Sequence, residues 1–188
     1  MNRSHIFNAK HAYVLELEER KFWENPDKIL GLVEIKLDFV AADLGGGTGF
    51  FTVPIAERAK KVYAIDLQEE MLRIIEQKIR KQRIKNIGPL LSKENKVPLE
   101  DESIEFLISV NTLHEFSHIE KMIKEMYRVL KPKGKMLIVD FKKEKTIFGP
   151  PVAIRISKEE AIMHFKKNGL NTLKTMDLPF HYALVFSK

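Results

Sequence analysis

Phe39-Val40-Ala41-Ala42-Asp43-Leu44-Gly45-Gly46-Gly47-Thr48-Gly49-Phe50 is the stretch whose reading decides the fold, together with Lys61-Val62-Tyr63-Ala64-Ile65-Asp66 a short way on. Phe39 to Ala42 is an apolar run of the length a buried parallel strand needs. The glycines turn the chain, since glycine accepts positive φ and lets a ligand approach the backbone closely. A helix is expected from about Phe50, and Lys61 to Ile65 form a second strand with Asp66 at its carboxyl end. In a βαβ unit both strand ends lie beside the helix N-terminus, so Asp43, the glycines and Asp66 should surround one crevice.

The glycine spacing narrows what such a crevice holds. The dinucleotide fingerprint requires Gly-x-Gly-x-x-Gly, and here the third position is Phe50. A phosphate-binding P-loop requires Gly-Lys-Ser/Thr, which is absent.

Outward from this unit, strands and helices alternate. Ala12, Tyr13, Leu17 and Phe22-Trp23 suggest one amphipathic helix over residues 9–23, after a tail at 1–8. Asn25 caps a second helix with Pro26 at its first position, running to about Ile35. Pro54 falls in the first turn of the helix after the glycines, where its missing N–H has no intrahelical partner to lose. Gln68 to Arg83 is helical, with glutamates in the first turn and cations in the last, as the macrodipole favours. Ile87–Leu91 and Ile104–Val110 are strands separated by a polar loop. Ile119 to Leu130 is a strongly amphipathic helix, which Lys131-Pro132-Lys133-Gly134 stops before a strand at Met136–Val139. Ser157 to Glu160 is a capping box opening a helix that closes at Asn168-Gly169. Residues 170–176 and 180–186 close the chain as a hairpin. The pattern predicts a three-layer α/β/α sandwich around a seven-stranded, mainly parallel, Rossmann-like sheet with an antiparallel C-terminal hairpin strand. Residues 1–188 read as one domain, with 1–36 a helical cap over its site.

The 188 residues are enough for one domain with a real core. Apolar residues make up 44% and charged residues 31%, and no run approaches the roughly 18 apolar residues of a membrane span. Absence of cysteine excludes disulfides, thiolate catalysis and cysteine-ligated zinc, and no metal site is expected. A cytoplasmic location is the default. The net charge of +6 comes from 32 basic residues spread among 26 acidic ones, many of them at expected helix ends. That favours solvated helix termini over a nucleic-acid surface.

Asp43-x-Gly45-x-Gly47-x-Gly49 with Asp66 beyond it resembles motif I and the ribose-binding acid of class I S-adenosylmethionine (SAM)-dependent methyltransferases. Val97-Pro98-Leu99-Glu100-Asp101, Asn111-Thr112-Leu113-His114-Glu115-Phe116 and Arg128-Val129-Leu130-Lys131-Pro132-Lys133-Gly134-Lys135 are similar to further elements of the family. The last is typical of the type 11 branch that includes ubiquinone and menaquinone methyltransferases. The resemblance implies SAM as methyl donor and S-adenosylhomocysteine as product. It implies that Gly45, Gly46, Gly47 and Gly49 carry backbone amides to the methionine part and that Asp43 helps hold its ammonium. Asp66 would take both ribose hydroxyls, and Leu67 would lie on adenine. Asn111 would meet the methionine moiety through its backbone carbonyl. Lys93 stands where relatives carry an adenine-binding aspartate, which leaves Glu94 and Asn95 for that contact.

SAM's methyl is already electrophilic, so orientation supplies much of the rate, and a base is needed only for a protonated nucleophile. His114 and Glu115 are the candidate catalytic residues. Tyr13, Trp23 and Phe51 are candidate substrate-binding residues. A small-molecule acceptor is expected. An RNA or protein methyltransferase and a nonenzymatic SAM- or NAD-binding module stay open, and so do a monomer and a homodimer. The segment Asn111-Thr112-Leu113-His114 lacks the Asn/Asp-Pro-Pro-aromatic motif of nucleic-acid base aminomethylases.

Overall fold

A computed structural model describes residues 6–188. Its seven strands are β1 (Val40–Leu44), β2 (Lys61–Asp66), β3 (Ile87–Leu91), β4 (Ile104–Val110), β5 (Leu130–Phe141), β6 (Asn171–Asp177) and β7 (His181–Ser187). They form one sheet in the order β3-β2-β1-β4-β5-β7-β6. The pairs β1–β2, β2–β3, β1–β4 and β4–β5 are parallel. β7 runs antiparallel to both β5 and β6.

Alternate residues of each strand serve two cores. One face carries Ala42, Leu107, Met136, Ile138 and Leu184 against Ile123 and Met126 of α5 (Ile119–Val129) and Phe165 of α6 (Lys158–Lys167). Phe165 stacks on Phe186 with centroids 4.5 Å apart. The other face carries Ala41, Val62, Phe106 and Ile108 against Ile29 and Leu30 of α2 (Pro26–Leu30) and Ile55 of α3 (Thr52–Ala56). α4 (Glu69–Gln82) extends this layer, packing Ile75 on Ala64 and Ile87. The layers are therefore helix, sheet, helix, as the alternating pattern required.

Several boundaries differ from the sequence reading. The expected helix over 9–23 is two pieces: a 3₁₀ segment Ala9–Glu16 with a non-helical His11, and the single turn α1 (Arg20–Trp23). Its polar face meets the sheet edge through hydrogen bonds, so packing overrides helical periodicity there. Of the expected tail, Phe7 and Asn8 are instead hydrogen bonded, and residues 1–5 lie outside the described residues. α2 ends at Leu30, where the Gly31 N–H returns to the carbonyl of Asp27. β5 begins at Leu130, directly after α5. Leu130 pairs with Ile104, and the ladder then breaks before Lys135 pairs with Phe106. The break is the Lys-Pro-Lys-Gly segment, with Lys133 at φ 66° and no room for a Cβ on Gly134, which would lie 2.8 Å from the Lys131 carbonyl. Asn25 does cap α2, and the Ser157–Glu160 capping box is formed. Among the described residues no helix is long and apolar enough to cross a membrane.

Candidate functional site

Strand order decides which side chains meet. The carboxyl ends of β2, β1, β4 and β5, and the start of antiparallel β7, fall on one sheet edge, presenting Asp66, Asp43, Asn111, Asp140 and His181. Leu44 pairs with Ile65, so the chain leaves β1 opposite Asp66. Gly45 and Gly46 both donate their N–H to the Ile65 carbonyl, at 2.8 and 3.1 Å. Gly47 donates to Asp66 Oδ2 at 3.0 Å, and Gln68 donates its N–H to Oδ1 at 2.9 Å. The glycine amides expected to face a ligand are thus largely committed to the protein. What the turn provides is close approach: at Gly45 (φ 74°) a Cβ would lie 2.4 Å from Thr112 Oγ1.

Asp43 lies buried beneath the turn and accepts from Thr52 Oγ1 at 2.6 Å. Burial raises its carboxyl to about 6 against the pull of Thr52, and nearby Asp66 adds to the rise. Burial also raises Asp66, opposed by the N–H groups of Gln68, Gly47 and Leu67. Two desolvated carboxylates that repel one another make this crevice favourable to a cation.

Beyond β4 the chain turns at Asn111 (φ 56°) into a 3₁₀ turn, Leu113–Glu115. His114 is fixed at both ends of its residue. Its N–H donates to Asp140 Oδ2 at 3.0 Å, and its Nδ1 lies 2.7 Å from Asp140 Oδ1. Burial alone would lower the imidazole, but the Asp140 carboxylate more than offsets this and holds it above the usual histidine range. Glu115 accepts the Phe7 N–H at 2.9 Å. Burial pushes its carboxyl up to about 7, against His114 and Phe7, with Asp66 and Asp140 adding to the rise. From His114 a run of rings extends along the edge: Phe141 at 6.2 Å, Phe148 at 6.0 Å from Phe141, then Trp23 and Phe180 at 4.8 and 4.9 Å from Phe148. Buried Arg155 shapes the loop that carries Phe148 by donating to the carbonyls of Lys142, Glu144, Phe148 and Pro150.

The N-terminal segment crosses this edge. Gln68 brackets it, donating from Nε2 to the Phe7 carbonyl at 2.8 Å and accepting the Ala9 N–H at 3.2 Å. Glu16 takes Thr48 Oγ1 and Lys78 Nζ. Glu24, 1% exposed, anchors the end of the segment. Its Oε2 is 2.6 Å from Arg20 Nε; its Oε1 is 2.5 Å from Asn111 Nδ2 and 2.7 Å from His181 Nε2. Burial would raise this carboxyl, but Arg20, His181 and Asn111 together hold it down at about 2. Asn111 Oδ1 and His181 Nδ1 are buried beside it without hydrogen-bond partners.

The structure brings together Asp43, Gly45, Gly46, Gly47, Asp66, Asn111, His114 and Glu115. Gly49 (φ 88°) instead packs toward Ile75 at the root of α3. Leu67 is 39% exposed at the β2 end. Glu94 accepts from Ser117 Oγ, and Asn95 adopts φ 58° in a tight turn between Lys93 and Lys96. The Asn111 side chain donates to Glu24, and its backbone N–H donates to the Val139 carbonyl. Two acceptor-pocket candidates differ sharply in exposure. Phe51 is a core residue, 3% exposed among Ile29, Leu30 and Ile55, because α3 starts two residues later than the glycines suggested. Tyr13 is 67% exposed, since the 3₁₀ segment turns it outward. Trp23 lies against Phe148 and Phe180. Sequence reasoning missed Glu24, Asp140, Arg155 and His181. Asp140 carried a signal, as an acid at the end of an apolar strand. The other three carried none, because their partners are distant in sequence.

Strand order, acid-ended β1 and β2 and the glycine turn between them define a class I methyltransferase fold, and the comparisons give its family. The methyltransferase-domain model of type 11 matches residues 42–138. The crystal structure of a SAM-dependent methyltransferase from Aquifex aeolicus superposes with a TM-score of 0.91 at 30% identity, over 97% of this chain and 99% of that one. A type 11 methyltransferase structure from Sulfolobus solfataricus gives 0.75 at 27%, over 89% and 93%. The chain belongs to the type 11 methyltransferase-domain family. The Schizosaccharomyces pombe methyltransferase-like protein C25B8.10 is 36% identical over 57% of this chain and 40% of its own length. The Brucella suis ubiquinone/menaquinone biosynthesis C-methyltransferase UbiE is 31% identical over 63% of this chain and 43% of its own. The chain spans between 37% and 44% of the length of the first curated relatives it matches.

Proposed function

We propose that this chain is a SAM-dependent methyltransferase acting on a small-molecule acceptor. The observation that carries the reading is the pair of desolvated carboxylates, Asp43 and Asp66, flanking the glycine turn at the ends of adjacent strands. SAM suits them, as a sulfonium that also bears an ammonium. Asp66 Oδ2 accepts the Gly47 N–H and Oδ1 the Gln68 N–H, and carboxylate oxygens offer about four lone-pair sites between them, so ribose hydroxyls can be taken without releasing Gly47 or Gln68. Asp43 offers charge to the ammonium, and the orphaned Asn111 Oδ1 offers an acceptor near the methionine end. Leu67, Glu94 and Asn95 would take the adenine.

When bound, SAM supplies an electrophilic methyl group. The chain's own part is to orient the reactants and exclude water. The segment from Phe7 to Glu24 covers the edge and serves as a cap over the site, its Gln68, Lys78 and Asn111 contacts holding it in place. That enclosure favours a small acceptor over a polymer.

Calorimetric titration with SAM, S-adenosylhomocysteine and NAD tests the reading, with Asp66→Ala as control. Two charge-assisted hydrogen bonds are lost in the variant, each worth about 1.5–3 kcal/mol, so SAM affinity should fall at least about 100-fold. Unchanged affinity would show that the ribose lies elsewhere.

A further inference from the structure

Asp140 lies outside the crevice formed by β1 and β2, yet it is fully buried and engages three groups at once. It accepts the N–H groups of His114 and Phe141 as well as facing His114 Nδ1. A carboxylate at Nδ1 fixes the proton on that nitrogen and leaves Nε2 as the basic position. Among the described residues Nε2 has no hydrogen-bond partner. The sheet order adds the second element. β5, with Asp140 and Phe141, is the next strand beyond β4 and Asn111 on this edge, so an acceptor lying past a methionine moiety held at Asn111 would meet it. The wall that continues from His114 is aromatic: Phe141, Phe148, Trp23 and Phe180.

We propose that Asp140 positions His114 as the general base for an acceptor that is planar and apolar and carries an ionisable hydroxyl, such as a phenol. The assignment rests on the methyltransferase reading above. The hydroxyl proton passes to Nε2 as the oxygen attacks the methyl carbon. The electrons of the broken carbon–sulfur bond stay on sulfur, leaving a neutral thioether, and the imidazolium then releases its proton to water. The charged groups around the imidazole are Asp140 from β5, Glu115 on its own turn and Arg155 from the loop before α6. Asp66 of β2 acts on Glu115 beside it. An amine acceptor that arrives neutral would make no use of this dyad.

The test uses the full chain with SAM and three probes on one ring system: naphthol, naphthalenethiol and naphthylamine. Naphthol should be methylated. His114→Ala and Asp140→Asn should each lower its kcat about 100-fold, within the usual range for general-base catalysis, while SAM affinity stays near that of the parent. Independently of turnover, ¹⁵N NMR of the parent imidazole should show the proton on Nδ1 in the neutral form. The His114 titration should match the acid limb of the kcat profile. In Asp140→Asn both should move to lower pH together. Because the parent's ring signals carry the tautomer result, a variant that fails to fold leaves the proposal open to refutation. A proton on Nε2, methylation of naphthylamine alone, or SAM binding with transfer to none of the probes overturns it. Failure to bind SAM brings down the methyltransferase reading as well, so the two failures are distinguishable.

Discussion

Replacing Glu24 by glutamine removes one charge from the group that anchors the N-terminal segment and changes almost nothing in shape. The Glu24 carboxyl is 1% exposed and contacts Arg20, Asn111 and His181. Its pKa falls from an ordinary 4.5 to about 2 in the fold, burial notwithstanding, because those partners outweigh desolvation. A drop of that size, at about 1.4 kcal/mol per unit, corresponds to about 3 kcal/mol of stability at neutral pH. Removing one member of a buried ion group costs about 3–5 kcal/mol by experience with other proteins, because the partners are left uncompensated. Because the folded pKa is depressed, this stability is present above about 4.5 and is lost as pH falls through about 2. Urea unfolding at pH 7 should therefore show Glu24→Gln destabilised by about 3 kcal/mol, equivalent to a Tm lower by about 6–12 °C for a chain of this size. The gap between variant and parent should narrow as pH is lowered from about 4.5 toward 2. A variant as stable as the parent at pH 7, or a gap that does not change with pH, would refute the reasoning.

Two further perturbations read other parts of the site. Gly45→Ala forces a side chain to φ 74° and puts its Cβ 2.4 Å from Thr112 Oγ1, so it should lose about 1–3 kcal/mol of stability in denaturant unfolding. The Glu115 carboxyl, raised to about 7 chiefly by burial, contributes stability while protonated and loses it as pH rises through 7. Glu115→Gln, which can still accept the Phe7 N–H, should be more stable than the parent by about 1–3 kcal/mol at pH 8, with the difference shrinking toward pH 4. A constant difference across that range would mean that Glu115 is not held in its neutral form.

The sequence carried the sheet because its signals are local. Apolar runs at Val40–Leu44 and Ile104–Val110, the glycine turn and the Ser157 capping box each mark an element within a few residues. The cofactor side of the site was legible for the same reason, since Asp43 and Asp66 end adjacent strands of one βαβ unit. The acceptor side was not. Glu24 meets Asn111 and His181, His114 meets Asp140, and Gln68 meets Phe7, all pairings between distant segments that no periodicity encodes. The surroundings of Phe51 and Tyr13 were hidden by the same gap. Whether an aromatic beside a glycine turn enters the core or the crevice depends on where α3 begins, and the 3₁₀ character of Ala9–Glu16 rotated Tyr13 into solvent.

The central claim is that the acid-flanked crevice holds SAM, and isothermal titration calorimetry of the parent chain tests it most directly. SAM and S-adenosylhomocysteine should bind one to one. SAM affinity should weaken as pH falls through about 6, where Asp43 takes up its proton, and NAD should give no binding heat. Binding of NAD without SAM would contradict the account.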